Sequence, residues 1–112
     1  MITMRQYTTP EQTAKLIELG FEKPKNERWV LDVANESTPG IQNIVKMQDY
    51  SIGELIEVLP PHIGRWELDI FHNLRFECWV VCINPENHTT AATELVDALY
   101  DMCVKLKEEG VI

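Results

Sequence analysis

Two stretches near the middle of the chain, Arg65–Phe71 and Arg75–Ile83, alternate apolar and polar residues, and only His72, Asn73 and Leu74 separate them. A period of two marks a half-buried β-strand. Two such runs joined by a short segment holding an asparagine, which tolerates positive φ, predict an antiparallel hairpin. A slip of one residue would exchange the two faces, so the apolar pattern sets the register. Placing Trp66, Leu68 and Ile70 on one face with Phe76, Cys78, Val80 and Cys82 requires an odd loop, and a three-residue loop meets that condition. The other face then shows Glu67, Asp69, Arg75, Glu77 and Trp79, an aromatic ring among carboxylates.

The greasy face of this ribbon is predicted to meet the long amphipathic stretch from Ala91 to Glu109, which follows a polar turn over Asn84–Thr89 and ends at Gly110. Leu95, Leu99, Met102 and Leu106 recur at helical spacing, Val96 and Cys103 widen the stripe, and Glu94, Asp97, Asp101, Lys105 and Glu108 take the wet side. Asp101 and Lys105, one turn apart, form a favourable pair.

Two shorter helices announce themselves by their caps. Thr8 or Thr9 ahead of Pro10, with Glu11 or Gln12 completing a capping box, starts one that stops at Gly20. Ala14, Leu16 and Ile17 are expected to face its core, with Phe21 folding back on Leu16. Ser51-Ile52-Gly53-Glu54 is a second box, and Pro60-Pro61 ends its helix because a residue before proline is pushed out of the helical region. Between them, Arg28–Val33 alternates as a strand with Trp29, Leu31 and Val33 on one side. Residues 34–49 predict a long loop with a short strand around Ile44.

The expected architecture is one α+β domain over residues 1–112. It has a small antiparallel sheet of three to four strands, a long C-terminal helix on one face and two short helices at the edges. A chain of 112 residues has room for one core. The longest apolar run, Trp79–Ile83, is of strand length, far short of the roughly 20 residues of a bilayer span. With no apolar stretch in Met1–Tyr7, a cytoplasmic setting is expected, with no membrane partner. Cys78, Cys82 and Cys103 sit in apolar segments and read as reduced, buried thiols.

Charge restricts the partners. A net charge of -8 and a pI of 4.8 repel a nucleic-acid backbone, and the scattered lysines and arginines make no basic patch, so no direct nucleic-acid contact is expected. Catalytic signatures are sparse. Cys78 and Cys82, four residues apart in a strand, stand about 13 Å from each other, and His62, His72 and His88 fall at element boundaries, so no metal or cofactor is expected. Ser51 belongs to a cap, Ser37 has no elbow motif, and the glycines are isolated. Glu67, Asp69 and Glu77 can be written as a general acid and base of a small hydrolase. The same residues with Trp79 can be written as an anchor for a basic partner protein.

Two resemblances are visible. Tyr50-Ser51-Ile52-Gly53-Glu54-Leu55 resembles the opening of the MerR-type helix-turn-helix regulators; there a basic recognition helix follows, whereas here Pro60-Pro61 and an alternating segment follow. More broadly, several segments in order resemble small uncharacterised proteins of gut bacteria and their prophages or mobile elements. These are the Thr-Thr-Pro-Glu-Gln helix ending in Leu19-Gly20-Phe21, the helix ending in Leu59-Pro60, the Trp-bearing strand, and the last helix from Leu95-Val96-Asp97 through Gly110-Val111-Ile112. That likeness implies an accessory, phage-like setting and brings no catalytic residue. The expected function is a non-enzymatic interaction or accessory module with a protein partner or a second copy of itself, Glu67, Asp69, Glu77 and Trp79 being the candidate contacts. The alternatives are an acidic mimic of nucleic acid that blocks a host enzyme, and the small hydrolase.

Overall fold

The computed structural model describes residues 4–25, 27–32 and 43–112. Its elements are α1 (Pro10–Glu18), β1 (Arg28–Asp32), β2 (Asn43–Met47), α2 (Ile52–Val58), β3 (His62–Ile63), β4 (Trp66–Glu67), β5 (Asp69–Asn73), β6 (Cys78–Asn84), β7 (His88–Ala92) and α3 (Leu95–Glu108). The fold is α+β, as expected. A three-stranded antiparallel sheet in the order β5-β6-β7 carries the C-terminal helix, and β1–β2 and β3–β4 form separate two-stranded ladders.

Both short helices form through their boxes. Thr9 accepts from the Gln12 amide while the Gln12 side chain accepts from the Thr9 amide, and Ser51 and Glu54 repeat the exchange. Gly20 takes a φ of 102°, and the Phe21 amide closes back on the Leu16 carbonyl, which ends α1 as predicted. The inward face of α1 differs from the expectation. Thr13 and Leu16 are buried, whereas Ala14 and Ile17 are exposed. The cause is a chain of buried hydroxyls: the Tyr50 amide donates to Thr8 Oγ1, Thr8 bonds Thr13 Oγ1 at 2.7 Å, and Thr13 bonds Asp49 Oδ1 at 2.6 Å. Turning Thr13 inward sets α1 against the chain that leads into α2.

The central hairpin forms with a different register. Asn73 Oδ1 accepts from the amides of Arg75 and Phe76, and Glu77 takes a φ of 50°, so the turn spans Leu74–Glu77. That even-numbered loop pairs Asp69 with Cys82, Ile70 with Val81, Phe71 with Val80, His72 with Trp79 and Asn73 with Cys78. Paired residues share a face. Ile70, His72, Trp79, Val81 and Ile83 therefore turn toward α3, with Val81 and Ile83 fully buried, while Asp69, Phe71, Cys78, Val80 and Cys82 take the outer face. The expected placement of Trp79 on the outer face, and of Cys78 and Cys82 in the core, is corrected by this change of register, which moves Phe71 from opposite Arg75 to opposite Val80 and, being an odd number of positions, exchanges the faces. Leu68 breaks the first strand, its amide donating to the Pro61 carbonyl, and Gly64 turns the β3–β4 hairpin at a φ of 61°.

α3 starts four residues later than its periodicity suggested, because His88–Ala92 is a strand paired with β6. Thr89 and Thr90 are β-branched and suit the ladder, and the Thr90 hydroxyl donates to the Ala98 carbonyl at 2.7 Å, tying β7 beneath α3. From Leu95 the predicted stripe holds: Leu95, Val96, Leu99, Met102, Cys103 and Leu106 are all buried, together with Leu16, Tyr50, Leu55, Leu59, Val81 and Ile83.

β1 and β2 pair from Arg28 with Met47 to Asp32 with Asn43, so the expected strands near Arg28 and Ile44 exist. Val33 and residues 34–42 of the expected loop lie outside the described residues, as do the side chains of Trp29 and Leu31. Among the described residues the backbone of this ribbon comes near no other helix or strand. The radius of gyration, 16.4 Å, exceeds the roughly 13–14 Å of a globule this long.

Candidate functional site

The slipped register builds a cleft at the turn end of the β5–β6 ribbon. His72 and Trp79 face each other across the two strands, ring centroids 5.1 Å apart and planes at 63°, an edge-to-face contact. Both point to the side that α3 covers, but α3 begins at Leu95 and lies over the other end of the sheet, against Val81 and Ile83. The indole thus floors a cleft of about 370 Å³ with Met4, His72, Leu74, Glu77, Thr93 and Glu94 around it.

Two carboxylates stand on the rim. Glu77 is the last residue of the turn, fixed by its left-handed backbone. Glu94 is the N-cap residue of α3, and its Oε2 accepts from the Arg5 amide at 3.1 Å. The Arg5 guanidinium is occupied elsewhere, on Asp97, the Gln12 side chain and the Tyr7 carbonyl. Among the described residues no lysine or arginine lines the cleft. An aromatic face, two carboxylates and a histidine can hold a positive charge: the ring supplies its negative quadrupole and the carboxylates supply Coulombic attraction.

The four sequence-selected residues are divided by the structure. Glu77 and Trp79 meet in the cleft. Glu67 is exposed on β4 opposite His62, and Asp69 lies on the outer face opposite Cys82, four strand positions from the turn that holds Glu77. The carboxylates written as a general acid and base are therefore not gathered around one point. Sequence reading missed His72, taken for a loop residue, and Glu94, taken for a solvated helix position. The signal for His72 was Asn73, whose side chain organises the turn after itself.

A second cleft of about 350 Å³ lies between the end of α1 and α2, with Phe21, Tyr50 and Val58 beside Lys23, Lys25, Lys107, Glu22, Glu54 and Glu57. Its charges are of both signs, so it favours no one ligand chemistry. The Tyr50 hydroxyl donates to the Glu22 carbonyl, and its pKa is pushed up to about 12 by burial, then by Glu54 and Cys103. The three thiols are unpaired with one another. Among the described residues no three His, Cys, Asp or Glu side chains converge as a metal site. No described helix is long and apolar enough to cross a membrane.

Comparison with protein families, with curated proteins and with solved structures finds no match to this chain.

Proposed function

We propose that this chain is a non-enzymatic interaction module that takes a basic side chain of a partner protein into the Trp79 cleft. The observation that carries the reading is the meeting of Trp79 and His72 with Glu77 and Glu94 in a cleft lined, among the described residues, by no lysine or arginine. A net charge of -8 adds long-range attraction for a basic partner and repels nucleic acid. Such a module suits the accessory, mobile-element setting that the sequence likeness implies.

Titration of 15N-labelled protein with N-acetyl-lysine methylamide tests it. The indole N–H of Trp79 should shift with a Kd of about 1 mM, the affinity of one cation held by an aromatic face and two carboxylates. The Glu77→Gln, Glu94→Gln double variant should weaken binding at least tenfold, with the norleucine analogue unbound. Equal response to the lysine and norleucine compounds would sink the idea.

A further inference from the structure

We infer that the partner presents its basic side chain from an extended segment that adds as a fourth strand along the outer edge of β5; this rests on the cleft reading above. The sheet order leaves β5 at an edge, and among the described residues no strand pairs with Asp69–Asn73 on the side away from β6. An open edge presents unpaired N–H and C=O groups that another extended chain can complete. Few devices that blunt edges are present in β5, which reads Asp-Ile-Phe-His-Asn: its one carboxylate, Asp69, is at the far end from the turn, and it has no proline, no lysine and no bulge against β6.

Register joins that edge to the cleft. His72 is opposite Trp79, and Trp79 is opposite Ala92, so one row crosses the inner face of the sheet. A residue of an added strand placed opposite His72 falls in the same row and points to the same side. Its Cα stands about 5 Å from that of His72 and about 10 Å from that of Trp79, from the spacing of neighbouring strands. The four-carbon stem of a lysine, or an arginine, covers the remaining distance and brings its charge over the indole, between Glu77 and Glu94. Its two neighbours along the added strand face outward, one opposite Phe71, which is 42% exposed, and the other opposite Asn73, so an apolar residue on the Phe71 side of the lysine matches that surface. The partner segment is thus extended, with an apolar residue next to the basic one.

The test uses the whole protein and three acetylated, amidated pentapeptides: Thr-Val-Lys-Val-Thr, the same peptide with norleucine for lysine, and the same peptide N-methylated at the first valine and at the lysine, which puts a methyl group on each edge of the strand and blocks pairing by either. The parent should bind at least tenfold tighter than N-acetyl-lysine methylamide and slow hydrogen exchange at the amides of residues 69–73. Norleucine and N-methylation should each cost at least tenfold. If the N-methylated peptide binds like the parent and the β5 amides do not respond, strand addition is overturned while the cleft reading survives. If the small lysine compound also fails to bind, the cleft reading goes with it. A mass that doubles with concentration, without peptide and with protection of residues 69–73, would assign the edge to a second copy and overturn the proposal.

Discussion

Thr13 Oγ1 lies 2.6 Å from Asp49 Oδ1 in the interior, the last link of a chain that begins at the Tyr50 amide and passes through the Thr8 hydroxyl. Each hydroxyl in that order accepts once and donates once, so the chain has one direction that satisfies every member. Burying such groups is tolerated only while they are bonded. Thr13→Val keeps the volume and interrupts the chain, leaving Thr8 without its acceptor and Asp49 without this donor. The expected loss is about 1–3 kcal/mol in urea unfolding; a loss below about 0.5 kcal/mol would show that the chain does not hold α1 in place.

Val80 and Val81 differ by one position and by everything else. Val81 is fully buried beneath α3, and Val80 lies on the outer face opposite Phe71. Val81→Ala should cost about 2 kcal/mol or more from lost burial and the cavity left behind, and Val80→Ala clearly less. The reverse order would restore the three-residue turn and its register.

Cysteine reactivity reads the same register chemically. Cys78 and Cys82 are half-buried on the outer face, while Cys103 is buried with its thiol pushed up to about 12 by desolvation. Native protein should react with Ellman's reagent at Cys78 and Cys82 and release the third equivalent only on unfolding. Three fast equivalents would contradict the placement of Cys103.

That thiol also sets an alkaline limit. From an ordinary value of 9.0, the folded pKa is raised to about 12, so the folded chain keeps a proton that the unfolded chain gives up. The contribution is complete below pH 9.0 and is lost as pH rises toward 12, on the order of 4 kcal/mol in all. Tyr50 acts in the same direction. Stability measured from pH 8 to 11 should fall less steeply in Cys103→Ala than in the parent chain; equal slopes would remove Cys103 from the account.

At the acid end, Glu109 works the other way. Desolvation acts to raise its carboxyl, but hydrogen bonds from His88 and Lys105, with their charges, hold it below the ordinary 4.5. Its contribution is present above pH 4.5 and is lost as pH falls through the lowered folded value. Glu109→Gln should flatten the acid limb of the stability profile between pH 5 and 3.

How much of this was legible depended on whether the determining contact was local. Both capping boxes, the Gly20 stop and the Pro60 stop are written within four residues, and all four formed as read. The buried stripe of α3 was equally plain from Leu95 onward. His88–Ala92 was not, because two alanines carry helix propensity and only pairing with β6 overrides it. The candidate cleft was missed through the placing of the turn: apolar and polar positions alternate in both registers, and the choice between them was made by Asn73 bonding forward into the turn and by α3 selecting Val81 and Ile83. Trp79 was therefore assigned to the wrong side of the sheet.

The backbone of the β1–β2 ribbon comes near no other described helix or strand. A lone pair of strands is marginal in water, so this ribbon is expected to open before α3 does. Amides of Arg28–Asp32 and Asn43–Met47 should then exchange on a faster clock than those of α3, as in a firm body that bears a separately melting arm.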